Sequence, residues 1–525
     1  MNLFKGHYSF PRIKALSVLN VMALLLFLFA TSPARDDWNN ISNFRDIPFN
    51  FDGLYSIVTN TWCCSHEKRF FFVSMLLQWP IGHMGSFAPT LLYLTLGMIL
   101  FLISQQSVIL LKKVNPHSVW AETTAFMFAW SCGSIIVGGW ANNIFFVLPI
   151  LFCILLVKEL YFKARVNSKT VLVLIFLAEF SGESALGILF FILVTYLVQS
   201  IKSKNQKNSS LLYLVFFLIS GLVYNQLLST KNTKALQLDI VVVKNYLQGF
   251  RNQELNIWSL NGNLYGPLNR NSLTFLFMLT ILLFSFSVYL YTQRASFNPE
   301  NLKPSAISKI QIAIFSLLLL PFIFFPMLLG IITGARLGPD YRYHFPVILL
   351  TIFVVSLILS SIRKYSYLSL ILFVVLGCYS SATALETRYR QGLLDSQIWN
   401  RVDSLEYGND IDAFITHNPF TNYPMPPYHS FAESDFQADW GIAGKHRWET
   451  GRRVPVYSGI FCEDGKCFGN RYYGGTDLIK DIDNRRLVFI MSAEKIDTTR
   501  LQIEDFVITK KYADYDEFIK LHPKQ

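Results

Sequence analysis

Two adjacent carboxylates, Asp36 and Asp37, stand in the stretch TSPARDDWNN (residues 31–40), directly behind a long apolar run. Neighbouring acids repel, which pushes one of them toward the range where a carboxylate works as a general base. The same pair could hold a divalent metal. The plainer alternative is a helix start, in which an Asp caps orphan backbone donors; one Asp could also cap while the other reacts. A second acidic stretch, AEFSGESALG (178–187), places Glu179 and Glu183 four residues apart around Gly182. On a continuous helix they would share a face; if Gly182 breaks the helix, Glu183 sits in water. An acid within an apolar segment is costly and usually has a function, so Glu183 joins Asp36 and Asp37 as a candidate catalytic residue. A third stretch, GARLGPDYRYHFP (334–346), gathers Arg336, Tyr341, Arg342 and His344 between two apolar runs. The guanidinium fork suits phosphate, which makes these four the candidate phosphate-binding residues. Anchoring of span ends by arginine and aromatics is the competing reading.

Other chemistries have no sign here. The chain lacks a Walker loop, G-x-G-x-x-G, H-E-x-x-H and G-x-S-x-G, the marks of nucleotide binding, zinc proteolysis and serine-esterase chemistry. No Cys/His set has zinc spacing, and no basic stripe interleaves with aromatics as in nucleic-acid tracks. Two of the seven cysteines, Cys462 and Cys467, flank EDGK. Asp464-Gly465 is a two-residue hairpin signal. That turn would pair Glu463 with Lys466 and set Cys462 opposite Cys467, with Cα atoms about 4.5 Å apart, within disulfide reach. An oxidising compartment favours the bond over two free thiols.

The elements that must position these residues are membrane helices. The chain has 525 residues, 52% hydrophobic and 15% charged, with a mean hydropathy of +0.35. That is too apolar for an ordinary soluble protein. A span needs roughly 20 apolar residues to cross about 30 Å of hydrocarbon. Apolar runs near 15–32, 85–104, 118–138, 142–160, 170–181, 184–200, 211–229, 272–292, 310–333, 346–361 and 366–383 predict a membrane α-helical fold of about eleven transmembrane helices. The two runs flanking Gly182 could also form one broken helix or a re-entrant pair. FFFVSMLLQWPIG (70–82), short and stopped by Pro80, reads as an interfacial helix. The first run reads as a retained helix, not a cleaved signal.

Charge orients the helices. Residues 1–383 carry 28 Lys and Arg against 13 Asp and Glu, whereas residues 384–525 carry 18 against 22. Alternate loops are basic, which places the N-terminus in the cytoplasm. The loops at 33–84, 230–271 and 334–345, the Gly182–Glu183 turn and the tail then share the outer side. A transporter would more often gather its polar groups near the midplane. Two domains follow: a polytopic transmembrane domain (1–383) with catalytic outer loops, and a soluble extracytoplasmic α+β domain (384–525). In the latter, RRLVFIMS (485–492) and IEDFVIT (503–509) read as strands and DYDEFIKLH as a closing helix.

An acid pair behind the first span, ten or so further spans and an external C-terminal domain resemble the GT-C class of membrane glycosyltransferases. The size and the RDDW start are most similar to the serotype-converting glucosyltransferases of bacterial O-antigen. The resemblance implies transfer of a sugar, with glucose the first expectation, from a polyprenyl-phosphate carrier to a polysaccharide hydroxyl. It implies a multi-pass bacterial inner-membrane protein with a periplasmic C-terminal domain, no nucleic-acid partner and no certain cofactor, a divalent metal being left open. Asp36 or Asp37 matches the class's catalytic acid. An O-antigen polymerase or ligase, and a non-enzymatic lipid or polysaccharide transporter, are the rival functions.

Overall fold

The computed structural model describes residues 10–33, 36–59, 71–114, 118–131, 134–135, 144–203, 207–227, 273–293, 345–360, 366–405, 407, 410–417, 439–471, 475–492, 503, 506–510 and 517. The side chains of Asp36 and Glu183 are not among the described ones. The run at 310–333, the loops at 230–271 and 334–344, and Cys63 and Cys64 lie outside the described residues, and the closing helix of DYDEFIKLH lies almost entirely outside them.

The fold is mostly helical. In chain order the α-helices are α1 (Phe10–Ala30), α2 (Asp36–Asp46), α3 (Phe51–Val58), α4 (Phe72–Gly82), α5 (Ala88–Val114), α6 (Ser118–Trp130), α7 (Ile144–Phe162), α8 (Ser168–Ser181), α9 (Leu186–Ser203), α10 (Lys207–Leu227), α11 (Leu273–Gln293), α12 (Phe345–Ser360), α13 (Ser366–Asp403) and α14 (Asp439–Thr450). Among the described residues four helices are long and apolar enough to cross a membrane: Gly85–Lys113, Ile144–Phe162, Leu273–Gln293 and Tyr367–Asp403. Five shorter apolar helices accompany them: Ala15–Ala30, Phe72–Gly82, Leu186–Lys202, Asn208–Val223 and Ile348–Ser360.

One continuous apolar core joins these helices, with α1 running through it: Leu19, Phe27 and Ala30 are buried. The acids inside are partnered, as burial of charge demands. Glu122 accepts from Lys112 at 2.5 Å and from the Tyr289 hydroxyl at 2.6 Å. Glu159 pairs with Lys163 at 2.5 Å, and Glu386 pairs with Arg390. Glu179 accepts from Ser220 of α10 at 2.6 Å. Helix α4 packs one face inward. It buries Phe72, Ser74, Met75, Gln78 and Trp79, and carries Pro80 in its last turn, close to where the helix ends.

Beyond the apolar helices, α13 continues unbroken through residues 383 and 384 to Asp403. The shift from apolar to polar composition therefore falls inside one helix. The strands after it are β1 (Ala413–His417), β2 (Val456–Tyr457), β3 (Gly459–Glu463), β4 (Lys466–Asn470), β5 (Thr476–Ile479), β6 (Leu487–Ser492) and β7 (Phe506–Thr509). One sheet has the order β2-β1-β6-β7, with β1 parallel to β2 and β6, and β7 antiparallel at the edge. The other is the antiparallel meander β3-β4-β5. Both faces of the first sheet are covered, as its near-continuous apolar strands require. Phe414, Val488 and Ile490 pack with Leu394, Ile398 and Trp399 of α13 and Ile442 of α14. Ala413, Ile415, Leu487, Phe489 and Met491 face the opposite way and meet Tyr457 and Ile479.

Candidate functional site

The acid pair opens α2, three residues past the described end of the first chain segment at Pro33. Thr31 closes α1 by returning its amide and hydroxyl to the Phe27 carbonyl. The chain then turns, and Asp36 becomes the first residue of α2. Asp37 follows at 0% exposure. With Ile41 and Phe44, both buried, it forms the inward face of α2 at helical spacing.

Asp37 is held from α5. Its Oδ2 accepts the Tyr93 hydroxyl at 2.6 Å, and the same hydroxyl stands 3.0 Å from the Ser32 carbonyl. A phenol has one proton to give to two acceptors. When the carboxylate is ionised the proton points to Asp37. When Asp37 takes a proton it can donate to the phenol oxygen, and the hydroxyl turns to Ser32. The floor beneath is aromatic: Phe27 meets Tyr93 at 6.2 Å and Trp130 at 6.0 Å between ring centroids.

The wall is α13. Tyr389 stacks on Phe29 at 5.2 Å. Gly392 lies so close to α1 that a Cβ there would stand 2.2 Å from the Ser32 hydroxyl oxygen. Arg388 and Gln391 flank this contact, buried at 4% and 8% exposure. Arg388 Nη2 and Gln391 Oε1 find no hydrogen-bond partner among the described residues.

The roof is α14, which lies along α2. Gly444 packs against the Asn39 backbone, its would-be Cβ 2.6 Å from Asn39 N, and its carbonyl accepts Ser42 Oγ at 2.8 Å. Lys445 Nζ sits over the rings of both Trp38 (5.1 Å) and Trp399 (5.0 Å), joining α2, α14 and α13. Behind it, burial pushes the His446 imidazole down to about 4, helped by the nearby charge of Arg452.

Glu183 is carried on a different support. Helix α8 ends at Ser181, and a short 3-10 turn, Glu183–Ala185, leads into α9. The break is built by close approach: a Cβ on Gly182 would lie 1.7 Å from the Phe145 carbonyl oxygen. Ser184 donates to the Phe146 carbonyl at 2.9 Å, and Ser74 of α4 donates to the Ser181 carbonyl at 2.5 Å. The turn is thereby fixed on α7 and α4.

Arg336, Tyr341, Arg342 and His344 lie outside the described residues. Cys462 and Cys467 are joined by a disulfide across the β3–β4 register, with Cα atoms 4.0 Å apart. The turn between them has positive φ at Asp464 (50°) and Gly465 (71°), as a type I′ hairpin requires. Among the described residues no three His, Cys, Asp or Glu side chains gather as metal ligands.

Three residues of the site had no place in the sequence reading. Tyr93 was hidden in an apolar run, where a phenol reads as an interface anchor. Arg388 and Gln391 stand in ETRYRQ (386–391). The usable signal was that helical spacing persists through this polar stretch, so that part of it faces inward. The chain matches no family model, no curated protein and no solved structure.

Proposed function

We propose that this chain is a membrane glycosyltransferase. It moves a sugar, glucose being the first candidate, from a polyprenyl-phosphate carrier to a hydroxyl of a polysaccharide such as O-antigen. The observation that carries the reading is Asp37: a fully buried carboxylate just past the end of α1, beside an apolar helix bundle, that accepts the Tyr93 hydroxyl at 2.6 Å.

In this reading about eleven helices span a bacterial inner membrane, and the strands after α13 form a periplasmic domain. The donor already carries its leaving group, so no nucleotide is needed. The acceptor oxygen attacks the anomeric carbon, and its proton passes to Asp37. The bond between that carbon and the phosphate oxygen breaks, and its electron pair leaves with the phosphate. General-base assistance of this kind is worth about a hundred- to ten-thousandfold. Helix α14, resting on α2, brings the tail to the site, where it orients the acceptor.

The test is transfer of labelled glucose from polyprenyl-phosphate glucose to lipid-linked polysaccharide in membranes holding the full chain. Transfer that depends on the chain supports the reading. Polymerisation or ligation of whole repeat units without single-sugar transfer, or flux of lipid-linked sugar with neither, would replace it with the polymerase or the transporter.

A further inference from the structure

Two orphaned polar atoms stand on α13 near its contact with the end of α1. Ser381, Arg388 and Gly392 share one face of α13 at helical spacing. Ser381 donates to the Trp130 carbonyl at the end of α6, and Gly392 touches Ser32 at the end of α1. Arg388 therefore lies between those two helix ends. Asp37 reaches the same corner through Tyr93, whose hydroxyl contacts Asp37 and the Ser32 carbonyl. A guanidinium is a permanent cation with a planar fork of donors. At 4% exposure, with Nη2 lacking a partner among the described residues, it is costly unless something else supplies the acceptor. Gln391, one residue on, holds a buried carboxamide oxygen in the same condition.

An unmet N–H donor on a cation calls for an anion. An unmet carboxamide oxygen calls for a hydroxyl. A sugar joined to a phosphate offers both. We propose that Arg388 binds the phosphate of the lipid-linked sugar donor, with Gln391 accepting a hydroxyl of its sugar. This rests on the glycosyl-transfer reading. It adds a phosphate contact on α13 to the candidates Arg336 and Arg342. Arginine suits the task because two parallel hydrogen bonds can follow the phosphate as it gains charge in leaving.

The test uses the full chain in detergent, with geranylgeranyl phosphate as probe and geranylgeraniol and inorganic phosphate as controls. Thermal unfolding is followed for the wild type, Arg388→Met and Asp37→Asn. Without ligand, Arg388→Met is expected to melt no lower than the wild type, because it removes an unmet buried charge; a structural arginine would lower it. Geranylgeranyl phosphate should stabilise the wild type and Asp37→Asn, and bind Arg388→Met about ten- to a hundredfold more weakly, as loss of a charged hydrogen bond implies. If Met does not accumulate, Arg388→Gln carries the same comparison. Equal stabilisation of the Arg388 variant, or of the wild type by the alcohol, would overturn the phosphate site. Full stabilisation by inorganic phosphate alone would overturn the lipid donor. A wild type that binds the lipid phosphate through Arg388 but transfers no sugar would sink the reaction and leave the site. A wild type that transfers sugar while Arg388→Met keeps its rate and binding would do the reverse.

Discussion

Arg45 donates from Nη2 to the backbone carbonyl of Arg447 at 2.8 Å, and Arg447 donates in return from Nη1 to Asn43 at 2.7 Å. The two arginines cross between α2 and α14. Arg45 also reaches the Trp448 carbonyl at 2.7 Å, so it satisfies carbonyls in the last turn of α14, where helices leave acceptors open. Arg447 pairs with Asp46 as well. The helix that carries Asp37 is thus locked to the helix that leads into the strands.

Arg447→Leu should therefore loosen α14 from α2. Two charge-assisted hydrogen bonds made by a buried side chain are lost, at a cost of about 3 kcal/mol. Thermal unfolding of the full chain and protease cleavage within 439–450 would read it. Arg452→Ala is the control. Its pair with Asp410 is exposed, 46% and 64% on the two sides, and such pairs contribute less than about 1 kcal/mol. Equal losses in the two variants would mean that the crossing contributes nothing special.

His446 predicts a pH limit for the packing of α14 on β1. Its ring packs edge-on against Phe414 of β1 at 5.4 Å, and burial holds its pKa at about 4 in the folded chain, against an ordinary value of 6.5. Above pH 6.5 both folded and unfolded chains hold it neutral, and its full contribution is present. As pH falls toward 4 the unfolded chain takes up a proton that the folded one refuses, and stability drops by about 3 kcal/mol. Unfolding midpoints measured between pH 7 and 4 should fall less steeply for His446→Leu than for the wild type. Parallel curves would rule the histidine out as the cause.

The long apolar helices were legible because an apolar run long enough to span can be little else: α7 and α11 begin within two residues of the expected starts at 142 and 272. The Cys462–Cys467 hairpin was legible because Asp-Gly imposes its own turn. What stayed hidden depends on partners far away in the chain. The central strand β1, AFITH, is short and gains its place by pairing with β2 and β6. The boundary drawn at 383 followed composition, whereas α13 keeps its helical hydrogen bonds through it and carries Arg388 inward. Tyr93 became part of the site through one hydrogen bond spanning 56 residues.

Gly182→Ala should fail for steric reasons. The new Cβ would lie 1.7 Å from the Phe145 carbonyl oxygen and 2.8 Å from its carbon. Both are backbone atoms, so α7 must move away from the α8–α9 turn. Overpacking of this kind costs about 1–3 kcal/mol or more. The check is the yield and melting temperature of membrane-inserted protein. Wild-type values would mean that the turn is looser than its contacts indicate.

The acid itself can be tested against the helix-cap alternative. Asp37→Asn removes the base and keeps the size, and transfer should fall by about a hundredfold or more. Asp37→Ser is the sharper variant. Asp37 is the second residue of α2, past the N-cap position, so a helix-start role would show as lost stability, whereas a general base would show as lost transfer in a chain that still folds. Tyr93→Phe then tests the support. It deletes the 2.6 Å hydrogen bond to Asp37 and leaves the ring on Phe27. Loss of one such bond costs about 1 kcal/mol, a rate loss of roughly five- to tenfold. A Tyr93→Phe variant that keeps the wild-type rate, together with full activity in Asp37→Ser, would return Asp37 to the role of a helix-start acid.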